Sequence, residues 1–438
     1  MGDRREILRL MNDPRTLFFA VSLVWVLPTS SCIAPPQDFP IHSELWRKSN
    51  PEFVPDPSPS STLSHRKVTV AILDGGIDYN HPWIRKQITP FPTSEALTGR
   101  SYGIGYDLLG GANDFFPHFS VLNPDDGQDL SAELLIREHG THVAGLTTLG
   151  HPDIGLLPVR VLPIPAKKDE AISAELVIFA GDEMKANVAK EAIQHITRGM
   201  KLACEHGAQI LNLSLGLDFS SLSPEFQHQV QAVLEADMIA TIRKECGQSL
   251  LVVAAGNESR EMNDIAFSVP ATIPEKNIIS VGALKSQADA VTAYYSNQGR
   301  SVDVYIRGSD IRSSVPLTEE NTALRAALSG TSMAAPLIAH LAARIRIILP
   351  DLNPEQLRAL ILNTAKLKEL TLEAHPEPEQ SSGNTAARLP EKRMGLVADF
   401  ATALRTARRI AEAAERGERQ ALENQFLTPP FDHGHSPF

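Results

Sequence analysis

Three short segments of this chain bring together residue types suited to nucleophilic hydrolysis. At Asp74-Gly75-Gly76 an apolar run ends in an acid followed by two glycines. That puts a carboxylate at the C-terminal edge of a sheet, where other backbone can come close; the same tripeptide is also an ordinary turn. Glu138-His139-Gly140-Thr141-His142-Val143-Ala144-Gly145 sets two histidines three apart at the start of a helix rich in small residues. One ring can then face a cleft as a general base while Ala and Gly permit close packing. Zinc hydrolysis is the competing reading, and it would require a third ligand and an adjacent acid in ligand spacing. Ser329-Gly330-Thr331-Ser332-Met333-Ala334-Ala335-Pro336 places a serine among small residues at the mouth of an apolar helix. Helix N-termini offer free N–H groups and positive potential, so the Ser332 amide can itself donate to an oxyanion created by attack of its hydroxyl. Pro336 has no N–H to bond the Ser332 carbonyl four residues earlier, which is expected to loosen the turn carrying the serine. Gly-Thr-Ser is equally a common helix-capping sequence.

These residues need a scaffold, and the sequence from Arg66 onward supplies one. Short β-branched runs (Val68 to Leu73, Gln209 to Leu215, Ser249 to Ala255, Asn277 to Val281) alternate with helical patterns at Asn187 to Glu205, Pro224 to Glu245 and Thr331 to Leu349. Continuous apolar strands of this kind belong to a parallel sheet covered on both faces. The predicted class is therefore α/β: a doubly wound, mostly parallel sheet with helices on both faces, in which ligand sites lie beyond the strand C-termini. Asn353-Pro354-Glu355-Gln356 combines an Asn cap, a proline at the first helical position and a Gln three after the cap, which predicts a helix to about Ala365. Leu367 to Glu391 turns polar and reads as an exposed loop. A final helix from about Val397 to Leu422 is expected to cover one side of the domain.

The chain has 438 residues, 42% hydrophobic and 21% charged, enough for one large core. Its net charge of -11 disfavours a nucleic-acid partner. Residues 1–32 read as an export signal: Arg4, Arg5, Arg9 and Arg15 precede an apolar run from Leu17 to Leu27 that breaks at Pro28. Thr29-Ser30-Ser31-Cys32 resembles the lipobox of bacterial lipoproteins, with Thr29 where leucine is usual. That makes Cys32 a lipidation candidate and places the protein in the envelope or periplasm, with a lipid anchor to the membrane, or secreted. Residues 33–65, rich in Pro and Ser, read as a tether. The catalytic domain is assigned to 66–412, and 413–438 is the end of the last helix and a tail. Cys204 and Cys246 are read as buried thiols, with a single bridge between them as the alternative.

Taken together, the three chemical segments resemble the subtilase (subtilisin-like) serine peptidase family over about residues 66–412. Their order, Asp then His then Ser, is that of subtilisin and differs from the chymotrypsin and α/β-hydrolase orders. The resemblance implies that Ser332 is the nucleophile, His139 its general base and later acid, and Asp74 the residue that orients the imidazole, with His142 structural. Ala254-Ala255-Gly256-Asn257 matches the family segment whose Asn donates to the oxyanion. That assigns Asn257 and separates the chain from the sedolisins, which carry an acid there and a Glu as base. Ser214-Leu215-Gly216, with Ala255 and Gly256, resembles the family's substrate-binding edge, which pairs with an extended peptide as an added strand. Val269-Pro270-Ala271 resembles its P1-pocket region, where the bond before proline is often cis.

The implied function is therefore an endopeptidase acting on protein or peptide substrates through an acyl-enzyme, without a cofactor. A catalytically silent peptide-binding member of the fold is the alternative. Gly75 stands where Ser or Thr is usual in the family. The stretch from Cys32 to Arg66 is short for the family's folded inhibitory propeptide. Asp125, Asp126 and Asp129 read as a solvated acidic loop, with a structural calcium as the other reading.

Overall fold

Strand β1 (Val68–Asp74) is buried at every position but Thr69, as expected for an apolar strand with helices on both sides. It lies inside a ten-stranded sheet of the protein, seen in a computed structural model that describes residues 68–78, 81–89, 91–92, 102–103, 105–108, 131–162, 181–262, 268–316, 324–373 and 392–430. The expected export signal, tether and acidic loop lie outside the described residues.

Two short strands, β2 (Phe91–Pro92) and β3 (Tyr102–Gly103), pair with each other, while β4 (Tyr106–Asp107) joins the main sheet. Helix α1 (Ser131–Thr148) precedes β5 (Ile154–Arg160), and helix α2 (Asp182–Glu205) precedes β6 (Ile210–Leu213). Helix α3 (Pro224–Val233) runs into a π-helical turn, Leu234–Ile239, and on into α4 (Ala240–Lys244). Then follow β7 (Leu250–Ala254), β8 (Ile278–Ser286), β9 (Val291–Thr292), β10 (Val304–Arg307) and a separate hairpin, β11 (Ile311–Ser314) with β12 (Arg325–Leu328). The chain continues through α5 (Thr331–Ile348), α6 (Pro354–Thr364), β13 (Lys366–Leu372), β14 (Lys392–Val397), α7 (Phe400–Glu415) and α8 (Arg419–Phe426).

Strand order in the large sheet is β10-β14-β13-β9-β8-β7-β6-β1-β5-β4, with β8 also pairing β10. The run from β4 through β8 is parallel throughout. Alternate residues of β1 serve two cores: Val70 and Ile72 pack with α1 and α5, whereas Ala71 and Leu73 pack with α2 and the α3 segment. This two-sided burial is the three-layer architecture read from the apolar runs. Asp74 lies at the C-terminal end of β1, where a doubly wound sheet places its ligand site.

Four sequence expectations need correction. The segment 366–372 is a strand, antiparallel to β14 in the register Lys366↔Val397; Lys366, Lys368 and Glu369, on both faces of a strand that buries only Leu370, gave it the polarity of a loop. Val397 accordingly ends β14, and the last helix starts only after Asp399, whose carboxylate accepts from Thr402 N at 2.9 Å. That helix breaks at Gly417, which has a φ of 74°, a position that suits glycine. Cys204 and Cys246 form a disulfide, their Cα atoms 5.3 Å apart: the end of α2 and the turn before β7 meet on one side of the sheet, a proximity that spacing in the chain does not reveal. The Asn353 helix, in contrast, has both halves of its expected capping box.

Candidate active site

His139 reaches Asp74 because glycine lets a helix come close to a strand end. Helix α1 begins at Ser131, so His139 sits in mid-helix and not, as the sequence suggested, at its start. A Cβ on Gly140 would overlap the Gly76 carbonyl oxygen and stand 3.1 Å from Asp74 Oδ1. With no Cβ there, His139 Nδ1 lies 2.9 Å from Asp74 Oδ2 and 3.0 Å from Oδ1. An ionised carboxylate only accepts, so Nδ1 carries the proton and Nε2 keeps a lone pair for a substrate-side proton. The Asp74 carboxylate is buried and takes a further 2.7 Å bond from Gly75 N, which holds it in plane for the imidazole.

His142, one turn on, is fully buried and bonds through Nε2 to the carbonyls of Ile311 (2.9 Å) and Ala326 (3.2 Å). Both acceptors require an N–H at Nε2, and desolvation pushes its pKa down to about 3. This ring ties α1 to the β11–β12 hairpin as a neutral imidazole. No group of three or more His, Cys, Asp or Glu residues among the described residues has the geometry to hold a metal.

Ser332 stands in the first turn of α5 and is 2% exposed. Its Oγ donates to the Ser214 carbonyl at 3.3 Å, while Ser214 Oγ donates back to the Ser332 carbonyl at 2.9 Å and accepts from Asn212 Nδ2, also at 2.9 Å. The carbonyl that Pro336 leaves without a helical partner is thus bonded from the neighbouring strand. The expected loosening gives way to a tether.

Asn257 follows β7, and its amide orientation is set by Thr331. Asn257 Oδ1 accepts from Thr331 N at 2.9 Å and Thr331 Oγ1 at 3.0 Å, and Thr331 Oγ1 in turn accepts from Gly256 N at 3.1 Å. With its oxygen so engaged, Nδ2 must face the other way. A Cβ placed on Gly330 would be 3.6 Å from both Asn257 Nδ2 and Ser332 N, so two N–H donors flank one small space beside the serine. That is the arrangement an oxyanion requires. Gly256 (φ 101°) permits the turn.

The proposed substrate edge has open backbone. Leu217 and Val269 exchange two 2.8 Å hydrogen bonds, but the N–H and C=O groups of Leu215 and Gly216 have no hydrogen-bond partner among the described residues. Ala255 is committed differently: its N–H donates to the Val281 carbonyl, and its own carbonyl accepts from Ser268 Oγ and Asn297 Nδ2. The Val269–Pro270 bond is cis. Residue-type reasoning missed the orienting part played by Thr331, although it belongs to the Gly-Thr-Ser segment, and that of Asn212, whose partner is only two residues away.

A carboxylate-oriented histidine beside the end of β1 and a serine in the first turn of α5, on two helices that share one face of the parallel sheet, follow the Asp, His, Ser chain order of subtilisin. Residues 65–390 match the model of the subtilase family, peptidase S8, and the chain belongs to that family. It is 32% identical over 227 residues to subtilisin BL of Lederbergia lenta, covering 52% of this chain and 70% of that one. It is 25% identical over 311 residues to the subtilisin-like protease PopC of Myxococcus xanthus and 26% identical over 337 residues to halolysin of Haloferax mediterranei. Those matches take in 68% and 74% of this chain but 55% and 51% of the relatives, so the chain spans about half the length of these two. A lanthipeptide protease shares the fold, with a TM-score of 0.51 at 19% identity over 78% of this chain and 88% of that one.

Proposed function

We propose that this protein is a serine endopeptidase that cleaves peptide bonds of protein substrates through an acyl-enzyme, with Asp74, His139 and Ser332 as its triad and Asn257 in its oxyanion hole. The observation that carries this reading is the directed Asp74–His139 pair, which leaves Nε2 as the base, together with two donors converging beside Ser332. An extended substrate would lie along Leu215–Gly216 and use their open backbone groups as an added strand.

On binding, the Ser332 hydroxyl turns from the Ser214 carbonyl toward His139 Nε2, since hydrogen bonds of this kind commonly tighten only with substrate present. Oγ attacks the scissile carbonyl as its proton passes to Nε2, and Asp74 stabilises the resulting imidazolium. The oxyanion is held by Ser332 N–H and Asn257 Nδ2. His139 then protonates the leaving amine as the C–N bond breaks, and water repeats the sequence to release the acid. Side chains and backbone supply every step, so no cofactor is invoked.

Export is part of the proposal. It rests on the arginines and apolar run of residues 1–32 and on the resemblance to a protein named as an extracellular protease in Xanthomonas campestris, 28% identical over 243 residues. Cys32 is the proposed lipidation site. None of the helices among the described residues is long and apolar enough to cross a membrane.

Covalent labelling by a fluorophosphonate probe tests the chemistry. Wild type should label and Ser332→Ala should not. A folded wild-type sample that stays unlabelled would replace the endopeptidase with a peptide-binding member of the fold.

A further inference from the structure

One residue outside the triad and its segments, Asn297, hydrogen-bonds four residues of the loop that carries Asn257. Asn297, fully buried in the turn between β9 and β10, accepts at Oδ1 from Glu258 N (3.2 Å) and Arg260 N (3.0 Å). Its Nδ2 donates to the Ala255 carbonyl at 2.9 Å and to Glu258 Oε2. Its own backbone N–H donates to the Gly256 carbonyl at 3.0 Å. Asn297 therefore bonds residues 255, 256, 258 and 260 and makes no hydrogen bond to Asn257 itself, the residue they enclose.

Only a primary amide meets this pattern. The site presents two backbone N–H groups on one side and a carbonyl and a carboxylate on the other, so it needs an acceptor and a donor on the same short side chain. Aspartate would offer no donor to Ala255 and would set a second carboxyl against Glu258. Leucine would take this partner from the Glu258 and Arg260 N–H groups and from the Glu258 carboxylate, and would leave the Ala255 carbonyl only its bond from Ser268 Oγ. Thr331 fixes the Asn257 amide from the helix side, and Asn297 fixes the turn from the opposite side.

We propose that Asn297 is a positioning residue for the oxyanion hole, acting through Asn257 by locking the 255–260 turn. The inference rests on the serine-peptidase reading above. Displacing a donor by about 1 Å from its productive place costs on the order of 10²-fold in rate, and a donor aimed at a developing charge contributes only if it is held there beforehand.

A double-variant cycle in the full chain tests the proposal. The second-order rate of fluorophosphonate labelling of Ser332 is measured for wild type, Asn297→Ala, Asn257→Ala and the double variant, each normalised to its folded fraction. Asn257→Ala is expected to slow labelling about 10²–10³-fold, the range known from subtilisin itself, and Asn297→Ala at least about 10-fold. The double variant should be within about threefold of Asn257→Ala alone, because a displaced donor and an absent donor are the same defect. Multiplying effects, or a normal rate in folded Asn297→Ala, would overturn the proposal.

Should Asn297→Ala not fold, Asn297→Asp keeps the Oδ1 acceptor for both N–H groups and replaces the donor facing Glu258 with an acceptor. It should slow labelling, and adding Glu258→Gln, which restores a donor–acceptor pair across that contact, should recover part of the rate. Failure of that recovery together with a normal Asn297→Asp rate would count against the role. A folded wild type that does not label overturns the peptidase reading, and this inference with it. A labelled wild type with equally fast Asn297 variants overturns this inference alone.

Discussion

Ser214 Oγ donates a 2.9 Å hydrogen bond to the carbonyl of Ser332, the acceptor that Pro336 leaves without a partner inside its helix. The nucleophile is thus joined to the substrate edge by a two-way link, since its own hydroxyl returns a bond to the Ser214 carbonyl. Ser214→Ala would leave a buried carbonyl unpaired, at a cost of about 1–3 kcal/mol, and would also strand the Asn212 amide. The urea midpoint should fall, and labelling of Ser332 should slow in the folded protein. Pro336→Ala restores a helical donor to that carbonyl, and in that background the stability cost of Ser214→Ala should shrink.

Gly140→Ala tests the close approach that makes the base. The added methyl would overlap the Gly76 carbonyl and crowd Asp74 Oδ1, so either α1 or the 74–76 turn must shift and lengthen the Asp74–His139 contact. Misplacement on this scale lowers activity on the order of 10²-fold. The deficit should be read in the labelling rate, with circular dichroism showing that the fold persists. An unchanged rate would mean that the contact tolerates a looser helix.

The proposed chemistry could be read from the sequence where it is local. Asp74 ends an apolar strand, Ser332 opens an apolar helix, and His139 sits among small residues, so type and neighbours point to each site. The sheet was legible for a related reason: β6 and β7 are buried along their length, which demands unbroken apolar runs. What stayed hidden depends on contacts between distant segments. Asn297 lies in an unremarkable Tyr-Ser-Asn-Gln stretch, about 40 residues after the loop it holds. The Cys204–Cys246 bridge depends on where α2 ends relative to the turn before β7. Strand β13 hid because Lys366, Lys368 and Glu369 suit a loop and a largely exposed strand equally well.

Thr331 should separate binding from rate. Its hydroxyl donates to Asn257 Oδ1 and accepts from Gly256 N, so Thr331→Val keeps the shape and removes both bonds. If Asn257 acts on the developing oxyanion, kcat on a peptide p-nitroanilide should drop about 10-fold or more, with KM little altered. Thr331→Ser, which retains the hydroxyl, should recover most of kcat. A rise in KM with kcat unchanged would move Thr331 from the oxyanion loop to ground-state binding.

Two desolvated titrating groups give stability opposite slopes over overlapping ranges below neutrality. Burial holds His142 neutral, its pKa pushed from 6.5 down to about 3, so the unfolded chain takes up its proton first as the medium acidifies. Its contribution is complete above pH 6.5 and is lost progressively as pH falls from there toward 3. Glu258 goes the other way: desolvation beside Asn297 raises its pKa from 4.5 to about 7, so the fold binds a proton that the unfolded chain has released. Its stabilising effect is complete below pH 4.5 and is lost as pH rises from there to 7. Urea midpoints measured from pH 4 to 8 should therefore respond to Glu258→Gln by rising at pH 7 and above relative to wild type, with little change near pH 4. His142→Gln, which can still donate to the Ile311 and Ala326 carbonyls, should flatten the acid limb instead. An acid limb as steep in His142→Gln as in wild type would assign the loss to carboxylates elsewhere in the fold.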